Sequence, residues 1–348
     1  MTAFFKKTCR KCSLALIFLL FLQSSQGQTD FSGLNAIIKR NEKILGKEYV
    51  VVIQKAGKNI FLKETEELKL KTPVPIASSS KWLTAAMVMI LVDEGKISLD
   101  DPVTKYIPVF AKYMKGYITI RHCLSHTTGL DTEPAGILKI AQKTKFASLE
   151  EEVNNFATKK LIVDNPGEAF AYGGIGINIA GRIIEVVTKK TFDRVITEKL
   201  FRPIGMRTAT FYNENGNAPN PSGGAVCSAF DYLNFMQMLL NKGTFNNKRI
   251  LSEKAVQEML TIQFPDLRVR YTPALAKDFK YALGSWVQER DEAEKGLVFS
   301  CPGLLGTWPW LDTKRNYVGI VFSKELITGQ KKELSIQIKE AADAALDQ

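Results

Sequence analysis

The chain has 348 residues, 45% of them hydrophobic, and a formal charge of +11 from 47 basic and 36 acidic side chains. It is long enough for one large domain or two. The basic residues alternate with acids, as in KETEELKLK and EKAVQE, which excludes a concentrated nucleic-acid footprint and describes a basic surface.

The first element is a leader. MTAFFKKTCRKC carries Lys6, Lys7, Arg10 and Lys11; the short apolar run SLALIFLLFL follows, then the small residues of QSSQGQ. This order predicts a signal peptide over residues 1–27, cleaved after Gly27, and hence a periplasmic or secreted protein. An uncleaved membrane anchor is the alternative, but the run is short for a span, so no stable membrane insertion is expected after cleavage. Cleavage lowers the formal charge to +7, because four basic residues and no acid leave. Only Cys123, Cys227 and Cys301 remain, which allows one disulfide at most, and no spacing favours it.

Residues 30–46 read as an amphipathic helix. YVVVIQ and NIFLK flank AGK as a β-hairpin. After Pro73 and Pro75 a helix is predicted from about Ser78 to Glu94, with Gly95 at its C-terminal stop. Residues 98–220 hold short helical patterns and loops. Ser228 and Asp231 of SAFD read as a capping box ahead of LNFMQMLL, and Gly243 ends that helix. YALGSWVQ, GLVFS, GTWPWLD and NYVGIVF alternate as strands of one antiparallel sheet, and ELSIQIKEAADAAL closes as a helix. The fold class is therefore α/β: an antiparallel sheet flanked by helices, built from residues 28–97 and 221–348, with a mostly helical insert over residues 98–220.

The chemistry begins in PIASSSKWLTAAM. Three serines precede Lys81, and only Ser78 stands three residues before it, on the same helical face. At a helix start, free N–H groups and the dipole favour an oxyanion. A serine hydroxyl needs a base, and a partly desolvated lysine with a lowered pKa can serve. The plain alternative is a chance S-x-x-K whose serine only caps the helix. After the leader the chain has two histidines, His122 and His126, both in ITIRHCLSHTTGL. A Ser-His-Asp triad would need one of them, and their i, i+4 spacing could hold a metal. No acidic or cysteine ligand pattern surrounds them, so neither a metal nor a cofactor is expected.

Four segments, in order, resemble the serine β-lactamase-like family, which includes class C β-lactamases, penicillin-binding DD-peptidases and related esterases. They are PIASSSKWLTAAMVMILVDEGKISLDDPVTKYIP, ITIRHCLSHTTGL, NPGEAFAYGGIGINIAGRIIEVVTKKTFDRVITEKLFRPIGM and PSGGAVCSAFDYLNFMQMLL. The resemblance covers most of residues 30–325 and implies a β-lactamase/transpeptidase-like fold. It implies Ser78 as nucleophile and Lys81 as base. It also implies that Tyr172, in Tyr172-Gly173-Gly174, shares the acid and base roles. It places the third family motif at Cys301-Pro302-Gly303 and the oxyanion hole at the backbone amides of Ser78 and Leu304.

Two departures stand out. Gly174 replaces the family's asparagine, and Cys301, which cannot carry positive charge, replaces the basic or polar residue that grips a β-lactam carboxylate. Gly174, Cys301 and Gly303 are expected to border the substrate pocket, although Cys301 can equally be a buried structural thiol. Trp82, Trp286, Trp308 and Trp310 are candidates for an apolar acyl pocket or for core. The leading expectation is a serine hydrolase cleaving an ester or amide, with a small-molecule or peptide-like substrate and no nucleic-acid partner. A low-turnover β-lactamase or DD-peptidase is the second. A catalytically silent relative that binds a peptidoglycan-like ligand or a partner protein is the third.

Overall fold

The structure, a computed structural model, describes residues 29–132, 146–212 and 215–348. The expected leader lies outside them.

Seven strands form one sheet: β1 (Tyr49–Lys55), β2 (Lys58–Glu64), β3 (Lys280–Tyr281), β4 (Trp286–Arg290), β5 (Gly296–Ser300), β6 (Thr307–Asp312) and β7 (Tyr317–Ser323). Their order is β2-β1-β7-β6-β5-β4-β3, every neighbouring pair antiparallel. Segments from the two halves of the chain therefore meet inside the sheet, one strand in from its β2 edge, where Tyr49 pairs with Ser323 and Lys55 with Tyr317. Successive side chains point to opposite faces. Val50 and Val52 join a core shared with helix α2 (Ser80–Asp93), while Val51 and Ile53 face α1 (Ser32–Arg40) and the C-terminal helix (Gly329–Leu346). Cover on both faces explains why β1 and β7 are buried along nearly their whole length.

Three local expectations are corrected. The helix expected over residues 30–46 is two helices, Ser32–Arg40 and Glu42–Leu45, broken at Asn41, whose side-chain amide donates back to the Ile37 carbonyl at 2.9 Å. YALGSWVQ is a hairpin rather than one strand. Tyr281 pairs with Trp286, Ala282 N–H donates to the Ser285 carbonyl, and Gly284 takes φ +78° at the turn. Ser228 does cap the helix Ala229–Leu240 through the Asp231 N–H, but the box is only half made. The Asp231 carboxylate turns instead to the backbone amides of Arg207 and Thr208, at 3.1 and 2.9 Å.

Between residues 98 and 220 lie helices Ile120–Leu124, Leu149–Lys159 and Ile175–Thr188, the last of which packs on both others and on α2. A short parallel pair, Ala169–Ala171 with Arg268–Tyr271, ties this region to the loop before β3.

Candidate active site

α2 is preceded by a 3-10 turn, Ala77–Ser79, so Ser78 stands just outside the α-helix rather than at its first residue. Ala77 adopts φ +46°, a left-handed conformation that costs a non-glycine residue about 1–3 kcal/mol. The surrounding bonds hold it there. Ser79 N–H donates to the Ile76 carbonyl at 3.1 Å, and Ser80 Oγ donates to the Ala77 carbonyl at 2.6 Å. Ser80 Oγ also accepts from Ala225 N–H at 3.0 Å. Ser79 Oγ donates to the Cys301 carbonyl at 2.6 Å, and its own carbonyl accepts from the Tyr232 hydroxyl at 2.9 Å. Two of the three serines are thus fastened to the scaffold, and Ser78 faces Lys81.

Lys81 Nζ donates to Ser78 Oγ at 3.1 Å and to the Ser222 carbonyl at 2.7 Å. The side chain is buried, and burial lowers its pKa to about 8, with the nearby Cys301 thiol opposing the shift. The Tyr172 ring centroid lies 5.0 Å from Lys81 Nζ, and its phenol interacts with the Ser78 side chain. Burial pushes the Tyr172 phenol far above its ordinary value, so it stays protonated at neutral pH. One serine oxygen therefore meets an amine of lowered basicity and a phenol that can pass a proton.

Gly174 opens the helix Ile175–Thr188, and a Cβ there would lie 2.7 Å from Ser222 Oγ. The space that an asparagine would fill is taken by Ser222, whose carbonyl holds Lys81. Ser222 is fixed in turn: its N–H donates to Asn178 Oδ1 at 3.0 Å and its hydroxyl to Asn220 Oδ1 at 2.8 Å. Sequence reading missed Ser222, although PSGGAVCSAF was among the resembling segments, because a backbone carbonyl carries no residue signature.

The third motif also differs from expectation. β5 ends at Ser300, so Cys301-Pro302-Gly303 lies beyond the strand. Cys301 is wholly inaccessible, its thiol donates to the Ser78 carbonyl at 3.2 Å, and burial pushes its pKa up to about 12. It backs the nucleophile segment with no surface exposed, and its own carbonyl accepts from Ser79 Oγ. A Cβ on Gly303 would fall 2.0 Å from the Ile76 carbonyl, so only glycine allows this approach. The Gly303 carbonyl accepts from Gly306 and Thr307. No peptide among the described residues is cis, so the Leu304 N–H points out of that turn, opposite to this carbonyl.

Of the four tryptophans, only Trp286 stands beside Tyr172, with ring centroids 5.1 Å apart. Trp308 and Trp310 pack on the other sheet face against the terminal helices, and Trp82 is buried edge-on to Phe235. A pocket with about 60 Å³ of room is lined by Trp286, Tyr281, Phe170, Phe264 and Phe279, among others, and not by Ser78 or Lys81. The two histidines diverge. His122 Nδ1 accepts from Thr119 N–H at 3.2 Å in a capping box, whereas His126 Nε2 pairs with the Tyr281 hydroxyl at 3.0 Å. All three described cysteines are free and buried.

A family model named Beta-lactamase matches residues 21–343. The chain belongs to the Beta-lactamase family. Its fold is that of the β-lactamase/transpeptidase-like serine hydrolases. A protein of Bacteroides dorei described as a candidate beta-lactamase superposes with TM-score 0.81 at 29% identity, over 92% of this chain and 100% of that one. EstCE1, a hydrolase with promiscuous acyltransferase activity, shares the fold with TM-score 0.71 at 19% identity, over 88% of this Beta-lactamase family chain and 97% of its own. Protein Rv1367c of Mycobacterium tuberculosis is 28% identical over 286 residues, 68% of this chain and 71% of that protein.

Proposed function

We propose that this family member is a secreted serine hydrolase that cleaves an ester or amide through an acyl-Ser78 intermediate. The single observation that carries the reading is Lys81 Nζ at 3.1 Å from Ser78 Oγ, with burial bringing the amine's pKa to about 8. Lys81 takes the hydroxyl proton as Ser78 Oγ bonds to the carbonyl carbon. Tyr172, beside the Ser78–Lys81 pair, relays the proton from Lys81 to the leaving group as the carbonyl–leaving-group bond breaks. The amides of Ser78 and Leu304 receive the oxyanion. Water then adds to the acyl carbon and gives a proton to Lys81; the bond from that carbon to Ser78 Oγ breaks, Ser78 takes the proton from Lys81, and the carboxylic acid leaves.

An ester fits this site better than a β-lactam. Cys301, where the family carries a carboxylate-gripping residue, is buried and neutral, so no charge is offered there. The helical insert over residues 98–220, the sheet domain over residues 28–97 and 221–348, and secretion by way of residues 1–27 belong to the same proposal. Labelling with a fluorophosphonate tests it. The expected result is stoichiometric modification of the native protein and none of Ser78→Ala. Equal labelling of a folded Ser78→Ala variant would overturn it.

A further inference from the structure

Tyr172 is held by residues to which the proposed reaction gives no task. Its ring packs against His126 with centroids 4.6 Å apart and against Trp286 at 5.1 Å. His126 Nε2 and the Tyr281 hydroxyl share a hydrogen bond of 3.0 Å, both side chains buried. The partners come from distant parts of the chain. His126 follows the helix Ile120–Leu124, and Tyr281 ends β3, opposite Trp286 in the sheet. The backbone repeats the link. The His126 carbonyl accepts from Ala171 N–H at 2.9 Å, one residue before Tyr172, and Tyr172 N–H donates to the Tyr271 carbonyl at 3.0 Å.

Two further features describe the setting of His126. It sits at φ +59°, an uncommon conformation outside glycine, although histidine tolerates it better than most residues. Its imidazole stays neutral, because burial and the Lys81 charge both disfavour a second cation. A neutral ring can contact Tyr172 without competing with Lys81 for the proton. Its Nε2 is engaged by the Tyr281 hydroxyl, while the amine bonded to Ser78 Oγ is that of Lys81.

We propose that His126 and Tyr281 form a positioning pair that locks the ring of Tyr172, and so aims its hydroxyl at Ser78. This rests on the reading of Tyr172 as a proton relay. The hydrogen bond spans from the His126 loop to the sheet hairpin, so the aim of Tyr172 depends on how those two parts dock.

The test is an epistasis measurement by single-turnover acylation with a 4-nitrophenyl ester, each rate normalised to fluorophosphonate-titrated sites. Tyr281→Phe removes one hydroxyl only. His126→Asn keeps a residue suited to the left-handed backbone and removes the ring. Each is expected to slow acylation by roughly ten- to a hundredfold, with substrate affinity changed by less than about twofold. Placed in a Tyr172→Phe background, neither should slow it further, because the residue they position no longer carries a hydroxyl. Losses that multiply with Tyr172→Phe, or an undiminished rate in folded Tyr281→Phe, would overturn the pair's role. A Tyr172→Phe enzyme as fast as the parent is a separate result: it removes the relay itself, and the positioning claim with it.

Discussion

Ser79 donates its hydroxyl hydrogen to the Cys301 carbonyl at 2.6 Å, across 222 residues of sequence. This bond fastens the turn that carries Ser78 to the end of β5, and both groups are fully buried. Ser79→Ala should leave a buried carbonyl unpaired and lower stability by about 1–3 kcal/mol. Urea unfolding at neutral pH measures it. A loss below about 0.5 kcal/mol would show that water or a shifted neighbour satisfies the carbonyl.

Lys81→Ala should slow acylation by roughly 10²–10⁴-fold if the lysine is the base. Lys81→Arg should be nearly as slow, because a guanidinium does not give up its proton at working pH. His122→Ala should keep its acylation rate once corrected for folded protein, since His122 serves a helix cap. Single-turnover kinetics with an aryl ester separates these outcomes. Full acylation in Lys81→Ala would identify another base.

The reactive form of Lys81 is the neutral amine. With its pKa near 8, kcat/KM should rise about tenfold per pH unit below that value and level off above it. Tyr172 adds no second inflection in the neutral range, because its pKa moves upward. A flat profile from pH 6 to 9 would contradict a lysine base.

The same shift acts on stability. Lys81 has a folded pKa of about 8 against 10.5 unperturbed. Below pH 8 both states are protonated and folding must bury a cation; the penalty is relieved as pH rises from 8 to 10.5, where the unfolded state binds more protons. Lys81→Met should therefore abolish activity yet raise stability at pH 7 by about 1–2 kcal/mol, less than the full desolvation term because the Ser222 carbonyl loses its donor. The advantage should shrink at pH 10, as thermal melts at the two pH values would show. A variant destabilised equally at both would mean that the lysine's bonds outweigh its burial.

Gly174→Asn should not restore the family arrangement by itself. Its Cβ would press on Ser222 Oγ at 2.7 Å, with an overpacking loss of about 1–3 kcal/mol. Gly174→Asn with Ser222→Gly should recover much of the loss, measured by melting temperature and ester turnover. An additive double mutant would place the strain elsewhere.

Much of this protein was legible along the chain. The hairpin Tyr49–Glu64, the helix behind Ser78 and the terminal helix follow from local periodicity and turn residues, which depend on neighbours within a few positions. Ser78 and Lys81 belong to this class, because their spacing of three residues is short. Tertiary structure alone decided the rest. That Cys301 is sealed behind Ser79, that Ser222 fills the gap at Gly174, and that YALGSWVQ folds back at Gly284 are contacts between distant segments. The face of the sheet that Trp308 and Trp310 occupy depends on which helices cover it, and their strand reads the same either way. Along the chain His126 stood only as a triad or metal candidate, and the docking of its loop against β3 sets its ring on Tyr172. Local sequence fixes backbone preference, whereas burial, pKa and hydrogen-bond partners arise from which surfaces meet.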